Sequence, residues 1–427
     1  MIPYTVPQLE LPVILNFLRA FSSSSWYHGE EIRELENEYS RFVGVKHAVV
    51  FASGRYALYL LFKYFGISNK KVIVPAYTCI PAADAFRWAG AEPFFLDVDL
   101  ETYNPKYDLC LQREKNIGAV CLSYLYGLVK DPSPFIKFAR SANIPIIEDA
   151  AIALGARVHN KMVGSIGDAA VFSLQSSKII TAWRGGVVTT DNSGLYEFLI
   201  DHQAKQTVPS STKVLMNGCI MAIQRLLANS YIYGLTMYPV RKAALNPWIA
   251  RSLEKFLDQN PSEAVMGCSS KNLPPVEKCC FTKPQARLVL ASMDKLTQIL
   301  ALRRKYAAYL TDGLKDIPGI KIPGCERGID HAYGRFPIRI KGLHKIQASK
   351  VFSRHGVEIG LNYPYIIPDT QYFVGYNNNG DRDFPNSRKA SKETFLLPFH
   401  TFLHKRDLDH MITTVHKVAE ATHEGKN

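Results

Sequence analysis

The chain has 427 residues, of which 47% are hydrophobic and 21% are charged, and its formal net charge is +13. This composition is that of a globular protein, and the length predicts a large domain with a smaller satellite domain. The eight cysteines show no C-x-x-C spacing, so the sequence indicates neither a metal site nor a disulfide framework. The positive charge suits nucleic acid, an anionic membrane or an anionic substrate, but the sequence has no nucleic-acid-binding signature.

Residues 45–188 alternate short apolar runs with segments of helical periodicity. Apolar strands separated by amphipathic helices predict an α/β domain, with a mostly parallel sheet that helices cover on both faces. Residues 1–10 lack the basic stretch and apolar run of a signal peptide, so we expect a cytoplasmic protein.

This alternation stops between residues 203 and 275, where the stretch 215–240 is rich in Leu, Ile, Met, Tyr and Ala. A membrane-spanning helix needs about 20 predominantly apolar residues, and Arg225 interrupts this stretch. Two interpretations stay open. We favour a packed helical subdomain or a cover over a site, and the alternative is a peripheral membrane contact through residues 215–251.

Helical periodicity returns over residues 283–314, and the remainder alternates strands with helices. The predicted strands are 335–340 and 357–361, and the predicted helices are 345–354 and 405–419. This pattern predicts a C-terminal α+β domain. We therefore divide the chain into an N-terminal arm with the large domain, an inserted segment, and a long helix with the C-terminal domain: residues 1–202, 203–275 and 276–427.

Several residues that could bind a ligand follow predicted strands of the large domain: Ser53, Gly54, Arg55, Asp149, Ser173 and Lys178. Ligands of parallel sheets gather at the carboxyl ends of the strands, and helix N-termini bind anions. A lysine amine can form a Schiff base with an aldehyde, a carboxylate can keep a pyridine nitrogen protonated, and a hydroxyl can bind phosphate. These groups together suit the cofactor pyridoxal phosphate (PLP).

Each residue also has a simpler interpretation. Lys178 could lie in a solvated turn, Asp149 could cap the segment that follows it, and Ser53 with Gly54 could merely form a turn. Glu148 could also take the role given to Asp149. The order and spacing of the residues together favour the cofactor site.

The segment Ser53-Gly54-Arg55-Tyr56-Ala57-Leu58 resembles the S-G-T-x-A-L phosphate loop of the DegT/DnrJ/EryC1/StrS family of sugar aminotransferases. These are PLP enzymes of fold type I. The resemblance covers nearly the whole chain and includes the Gly-Gly turn after Lys178. Further similar segments are residues 27–48, 72–78, 90–99, 124–127, 285–286, 303–304, 362–364 and 397–400.

The resemblance implies a role for each candidate residue. Lys178 would hold the cofactor and then move the proton at the substrate carbon, and Asp149 would pair with the pyridine nitrogen. The phosphate would be held by Ser53, Ser173 and the amides of Gly54 and Arg55. The resemblance also implies a homodimer that shares its sites between subunits, with a dimer helix in the region 276–427.

The chain departs from the family at the cofactor ring. Cys79 stands at the cofactor-binding position where an aromatic residue commonly stacks, and Tyr77 or Tyr56 could replace that stacking. Ile152 and Leu154 stand where the family usually has Gln and often His. The usual contact to the cofactor hydroxyl is therefore missing or supplied elsewhere.

Further departures concern the phosphate and the partner subunit. Arg55 replaces the phosphate-loop Thr, and Arg184 replaces the Glu before Gly-Gly. Two arginines near a phosphate are chemically reasonable, and Arg55 could instead bind a substrate anion. Residues 276–281 lack the Asn and Arg that reach the partner's cofactor in the family.

The leading interpretation is a PLP-dependent aminotransferase that moves an amino group from glutamate to a keto or aldehyde sugar. We expect that sugar to be nucleotide-linked and to serve surface polysaccharide or secondary metabolite synthesis. One alternative is amination of a lipid-linked or other non-nucleotide substrate at the membrane surface. The other is a non-catalytic PLP-fold regulator or scaffold, which the departures at Cys79, Ile152 and Leu154 suggest.

Overall fold

A seven-stranded sheet forms the centre of the N-terminal half of the protein. The structure is a computed structural model that describes residues 1–9, 17, 26–244, 272–370, 373 and 383–423. The strands of this sheet are β1 (His47–Phe51), β2 (Lys71–Pro75), β3 (Glu92–Leu96), β4 (Ile117–Ser123), β5 (Ile146–Asp149), β8 (Ala169–Ser173) and β9 (Gly186–Thr190). Their order is β1-β9-β8-β5-β4-β2-β3. Strands β3, β2, β4, β5 and β8 are parallel, and β9 pairs antiparallel with both β8 and β1.

Helices cover both faces of this sheet. The helices of the N-terminal half of the chain are α1 (Glu30–Val43), α2 (Gly54–Tyr64), α3 (Ile80–Trp88), α4 (Ser133–Ser141), α5 (Ser193–Ala204), α6 (Ser211–Leu227) and α7 (Met237–Ala244). Along β1, Val49 and Phe51 pack into one hydrophobic cluster, whereas Ala48 and Val50 pack into a second. Alternate side chains of a strand point to opposite faces, so a strand buried on both faces is apolar throughout. This explains the continuous apolar runs in the sequence.

The C-terminal part forms a smaller α+β unit. Its helices are α8 (Lys283–Met293), α9 (Leu296–Leu314), α10 (Lys345–Arg354), α11 (Pro385–Glu393) and α12 (Lys405–His423). Strands β10 (Ile320–Lys321), β12 (Phe336–Ile340) and β13 (Phe395–Leu397) form an antiparallel sheet in the order β10-β12-β13. A small sheet joins β11 (Ile329–Asp330) to β6 (Arg157–Val158) and β7 (Lys161–Met162). The predicted fold class, α/β with a C-terminal α+β part, is confirmed.

Two predicted elements differ from the structure. The helical stretch 283–314 is two helices, because Lys295 leaves the helical conformation and caps α9. Helix α9 then packs Leu300 against the large-domain core and Leu310 against the C-terminal core. The predicted strand 357–361 forms only isolated bridges, one of them to Ile2 in the N-terminal segment.

The described part of the inserted segment contains the helices α6 and α7, and residues 245–271 lie outside the described part. Among the described residues, no helix is long and apolar enough to cross a membrane. The same residues contain no cluster of His, Cys, Asp and Glu that could hold a metal ion. The division of the chain at residues 202 and 275 stays a prediction.

Candidate active site

The phosphate-loop residues lie where β1 leads into α2. Ser53 is the N-cap of this helix, and its Oγ accepts a hydrogen bond of 3.4 Å from the Tyr56 amide. The first amides of a helix have no partner inside the helix, so those of Gly54 and Arg55 are available to an anion. Gly186 on β9 lies against this loop, where a Cβ would come within 2.3 Å of the Gly54 Cα. The close approach of loop and strand therefore requires glycine.

Asp149 ends β5 directly opposite Ser123, which ends the parallel neighbour β4. Ser123 Oγ donates to Asp149 Oδ2 at 3.3 Å, and the Ala151 amide donates to Asp149 Oδ1 at 3.3 Å. Burial raises the pKa of Asp149 above its ordinary value, although these bonds and the nearby Lys178 oppose the rise. A cation that enters this place would stabilise the ionised carboxylate.

Glu148, the alternative to Asp149, has a different role. Its fully buried carboxylate accepts hydrogen bonds from the amides of Gly164, Ile166 and Gly167 at 3.1, 2.9 and 2.8 Å. Side chains alternate along β5, so the two adjacent acids point to opposite sides. Glu148 fixes the turn before β8 and leaves Asp149 as the carboxylate at the cavity.

Lys178 lies near Asp149 and the buried Arg335. Burial lowers the pKa of the Lys178 amine, and Arg335 lowers it further, while Cys79 and Asp149 act in the opposite direction. Arg335 also binds the carbonyl oxygen of Ser177. The chain therefore positions an amine that loses its proton at a lower pH than free lysine does.

All the predicted site residues line one cavity of about 440 Å³: Ser53, Gly54, Arg55, Cys79, Asp149, Ser173 and Lys178. This volume lies within the range of ligand sites, about 300 to 1,000 Å³. The structure thus brings together residues that are far apart in the sequence. Their individual roles stay predictions.

The structure also shows which residues line the cavity where the cofactor ring is expected. Burial raises the pKa of the Cys79 thiol to about 12, so Cys79 is a neutral apolar wall of the cavity at neutral pH. Neither Tyr77 nor Tyr56 is among the residues that line the cavity, and the Tyr77 hydroxyl instead bonds that of Tyr126 at 2.7 Å. Tyr363, like Tyr124, does line the cavity, and its ring centroid lies 5.7 Å from that of Tyr77. The hypothesis that Tyr77 or Tyr56 replaces the stacking residue is not supported.

The two unusual arginines share one buried partner. One carboxylate oxygen of Glu277, Oε1, pairs with the guanidinium groups of both Arg55, at 3.0 Å, and Arg184, at 2.8 Å. Arg55 also pairs with the buried Asp84 at 3.3 Å. Burial alone would raise the pKa of Glu277, but Arg184 and Arg55 outweigh it and hold this pKa below its ordinary value. The phosphate-loop end of the cavity is therefore a network of arginines and carboxylates.

Thr78 and Glu277 are two residues of the cavity wall to which sequence reasoning gave no role. Thr78 Oγ1 and Glu277 Oε2 are buried, and neither has a hydrogen-bond partner among the described residues. Thr78 follows a strand end, which is the signal that could have singled it out. No local signal marks Glu277, because its partner Arg55 lies 222 positions away in the sequence.

These features fit PLP. The cavity offers a lysine amine, a carboxylate whose buried position favours a nearby cation, and amides at a helix N-terminus for a phosphate. The unpartnered Thr78 hydroxyl is the kind of group that a polar ligand satisfies.

Comparison with known proteins agrees with the geometry. The sequence profile of the DegT/DnrJ/EryC1/StrS aminotransferase family matches residues 12–214 and 277–416. The chain belongs to this family. The enzyme class and the cofactor that the resemblance implied, a PLP-dependent aminotransferase and PLP, are confirmed at the level of the family.

The relatives show how far the similarity extends. The chain is 40% identical to GDP-perosamine synthase of Caulobacter vibrioides over 172 residues, which are 39% of this chain and 46% of that protein. The match thus spans about half the length of that relative. The Bacillus subtilis spore coat polysaccharide biosynthesis protein SpsC is 24% identical over 98% of this chain and 97% of its own. A Streptococcus pneumoniae protein solved in its PLP form has the same fold, with a TM-score of 0.75, 19% identity and 99% of each chain covered.

Proposed function

We propose that this protein transfers an amino group from glutamate to the keto or aldehyde carbon of a nucleotide-linked sugar. The observation that carries the proposal is that Lys178 and Asp149 meet in one cavity with the phosphate loop of α2. The similarity to a GDP-perosamine synthase supports the substrate class, and the similarity to SpsC supports a role in surface polysaccharide synthesis.

The chain's own residues would perform three tasks. PLP, when bound, supplies a ring that accepts electrons from the substrate carbon. Lys178 would hold the cofactor, and its amine would then carry the proton at that carbon, a task that requires the neutral form. Asp149 would accept a hydrogen bond from the ring nitrogen, while Ser123 and the Ala151 amide hold its carboxylate in place.

The phosphate would bind at the N-terminus of α2, to Ser53, Ser173 and the amides of Gly54 and Arg55. Arg184 and Arg55 would add positive charge there, and Glu277 would position both guanidinium groups. Because Glu277 is itself an anion, it would also limit how tightly the phosphate is held. This balance differs from that of the family's phosphate loop, which has a hydroxyl where Arg55 stands.

The test is the visible absorption spectrum of the purified protein with PLP, before and after addition of glutamate. We expect a visible band from PLP held by the protein, and glutamate should bleach it. Lys178→Ala should not form the normal band. Lys130→Ala, which removes a partly exposed lysine paired with Asp99 at 3.2 Å, is the matched control and should behave as wild type.

Two outcomes would contradict the proposal. A wild-type protein without the band would mean that the departures at Cys79 and Ile152 have abolished the site. A band that no amino acid alters would favour the regulator or scaffold interpretation. If the band bleaches, GDP-, UDP- and dTDP-linked keto sugars should be tested as acceptors by mass spectrometry of the products.

A second candidate function is amination of a lipid-linked acceptor at the membrane surface. The specific observation is an exposed apolar face on α6, whose opposite side packs near the cavity wall at Trp183. With glutamate-loaded enzyme, product formation from a lipid-linked keto sugar but not from a nucleotide-linked one would favour this candidate.

Two further parts of the proposal concern the state of the protein. We propose a homodimer, which the family resemblance implies and which light scattering on the purified protein would test. We also propose a cytoplasmic location. All the described cysteines are free thiols, as expected in a reducing compartment.

A further inference from the structure

Helix α6 is apolar on both of its long sides. Its inner side buries Val214 and Met221 in a cluster with Phe17, Trp183 and Leu288. Its outer side exposes Leu215, Ile223 and Leu226, and the chain that follows exposes four more large hydrophobic side chains: Tyr231, Ile232, Leu235 and Val240. We call these seven residues the outer apolar face. The most exposed of them are Leu235 at 86% and Tyr231 at 72%.

This concentration is unusual within the described part of the chain. Apart from Val208 just before α6, the other large hydrophobic side chains that are exposed there are scattered singly: Leu109, Tyr309 and Ile346. Single exposed apolar residues are normal on protein surfaces, whereas a contiguous group marks a place that another surface covers.

The charge of the same segment indicates what that surface is. Between Asp201 and Glu254 the sequence contains no acidic residue, but it contains six lysines and arginines. A helix with exposed apolar residues and a purely basic set of charges suits the interface of an anionic bilayer, where apolar side chains enter the headgroup region and cations meet the lipid phosphates. A second copy of this equally basic segment would repel it.

The outer apolar face also lies outside the part of the chain that the family profile matches. The family profile matches up to residue 214 and resumes at residue 277, so every residue of the face lies outside the match. The face is therefore not part of the sequence pattern by which the chain is assigned to the family.

We propose that the outer apolar face binds the surface of an anionic lipid bilayer and holds the enzyme there as a peripheral protein. Helix α6 connects this face to the active site through Met221 on its inner side. The Met221 sulfur accepts a hydrogen bond of 3.9 Å from Thr181 Oγ1, and its side chain packs with Trp183 of the cavity wall. The bound enzyme would hold its cavity close to lipid headgroups, where an acceptor carried by a lipid would lie.

The test is co-sedimentation of the full PLP-loaded protein with vesicles of phosphatidylcholine alone or with phosphatidylglycerol. We expect binding to the anionic vesicles that weakens as salt is added and that is weak or absent on phosphatidylcholine alone. Transfer of one leucine out of water corresponds to about a tenfold change in binding, so Leu235→Glu should weaken vesicle binding at least about tenfold. Leu109→Glu, at a residue 71% exposed outside the segment, is the matched control and should bind as wild type.

Each other outcome would overturn the proposal. The proposal is wrong if wild type stays in the supernatant with anionic vesicles at low salt. It is also wrong if Leu235→Glu and Leu109→Glu lose vesicle binding equally. If Leu235→Glu changed the oligomeric state in light scattering and wild type did not bind vesicles, the face would be an interface between copies of this chain. The PLP band and its response to glutamate are measured on the same samples, so failure of membrane binding is distinguishable from failure of the proposed function.

Discussion

Replacing Glu277 with glutamine should destabilise the cofactor-free protein. The residue is 1% exposed, and its carboxylate pairs with Arg184 at 2.8 Å and Arg55 at 3.0 Å. Removing one partner of a buried ion pair costs about 3 to 5 kcal/mol, because the remaining charge is left uncompensated. Arg55 keeps its contact with Asp84, and Arg184 keeps its bond of 3.1 Å to the Ala52 carbonyl. We therefore expect a loss at the lower end, about 3 kcal/mol, in the free energy of unfolding measured with urea.

The same substitution should tighten the binding of PLP. Glutamine removes a negative charge beside the amides that would hold the phosphate, while both arginines keep a second contact. At an effective dielectric constant of about 20, one charge within a side-chain length contributes about 2 kcal/mol, so we expect a Kd for PLP that is about thirtyfold lower. Pyridoxal, which lacks the phosphate, should bind equally to the variant and to wild type in an absorbance titration.

The effect on stability should also depend on pH. Arg184 and Arg55 hold the pKa of Glu277 below its ordinary 4.5, despite burial. A carboxylate with a lowered pKa stabilises the fold above its unfolded pKa, and this contribution is lost as the pH falls through the folded pKa. The difference between wild type and Glu277→Gln should therefore be complete at pH 7 and should shrink only below pH 4.5.

A matched control separates this network from the general effect of losing a carboxylate. Glu114 pairs with Lys71 at 3.0 Å where both side chains are partly exposed, so Glu114→Gln should change stability by less than about 1 kcal/mol and leave PLP binding unchanged. The reasoning is refuted if Glu277→Gln is as stable as Glu114→Gln, or if it weakens PLP and pyridoxal alike.

The remaining predictions concern the strand ends around the cavity. Gly186→Ala should greatly weaken PLP binding in titrations, because its Cβ would meet the Gly54 Cα at 2.3 Å. Asp149→Asn should bind PLP but slow its bleaching by glutamate about a hundredfold or more in stopped-flow, with little change in stability. Glu148→Ala should lower the free energy of unfolding by about 3 kcal/mol, since one buried and two partly buried amides lose their acceptor. PLP association should speed up with pH and level off below pH 10.5, because burial lowers the pKa of Lys178, and a plateau only above that value would contradict this.

The sequence by itself determined the fold class and most of the elements that position the cavity. Strands β1 and β2 lie in the region 45–188 where the sequence alternates apolar runs with helical segments, because a strand buried on both faces must be a short apolar run. The residues at the strand ends were also recognisable, since Ser53 and Lys178 lie in local motifs with glycines or hydroxyls at fixed spacing. These signals are local, so a single sequence contains them.

The tertiary structure alone decided which side chains face one another. The sequence allowed either acid at the end of β5, and only the packing of the turn 164–167 against Glu148 assigns the cavity to Asp149. Glu277 carries no local signal, because it joins Arg55 only when the chain has folded over the large domain. Helix α9 likewise begins only after Lys295, and only the folded structure shows that its two ends pack against different cores. Contacts between distant residues depend on how the elements pack, and hydrophobic periodicity does not encode that arrangement.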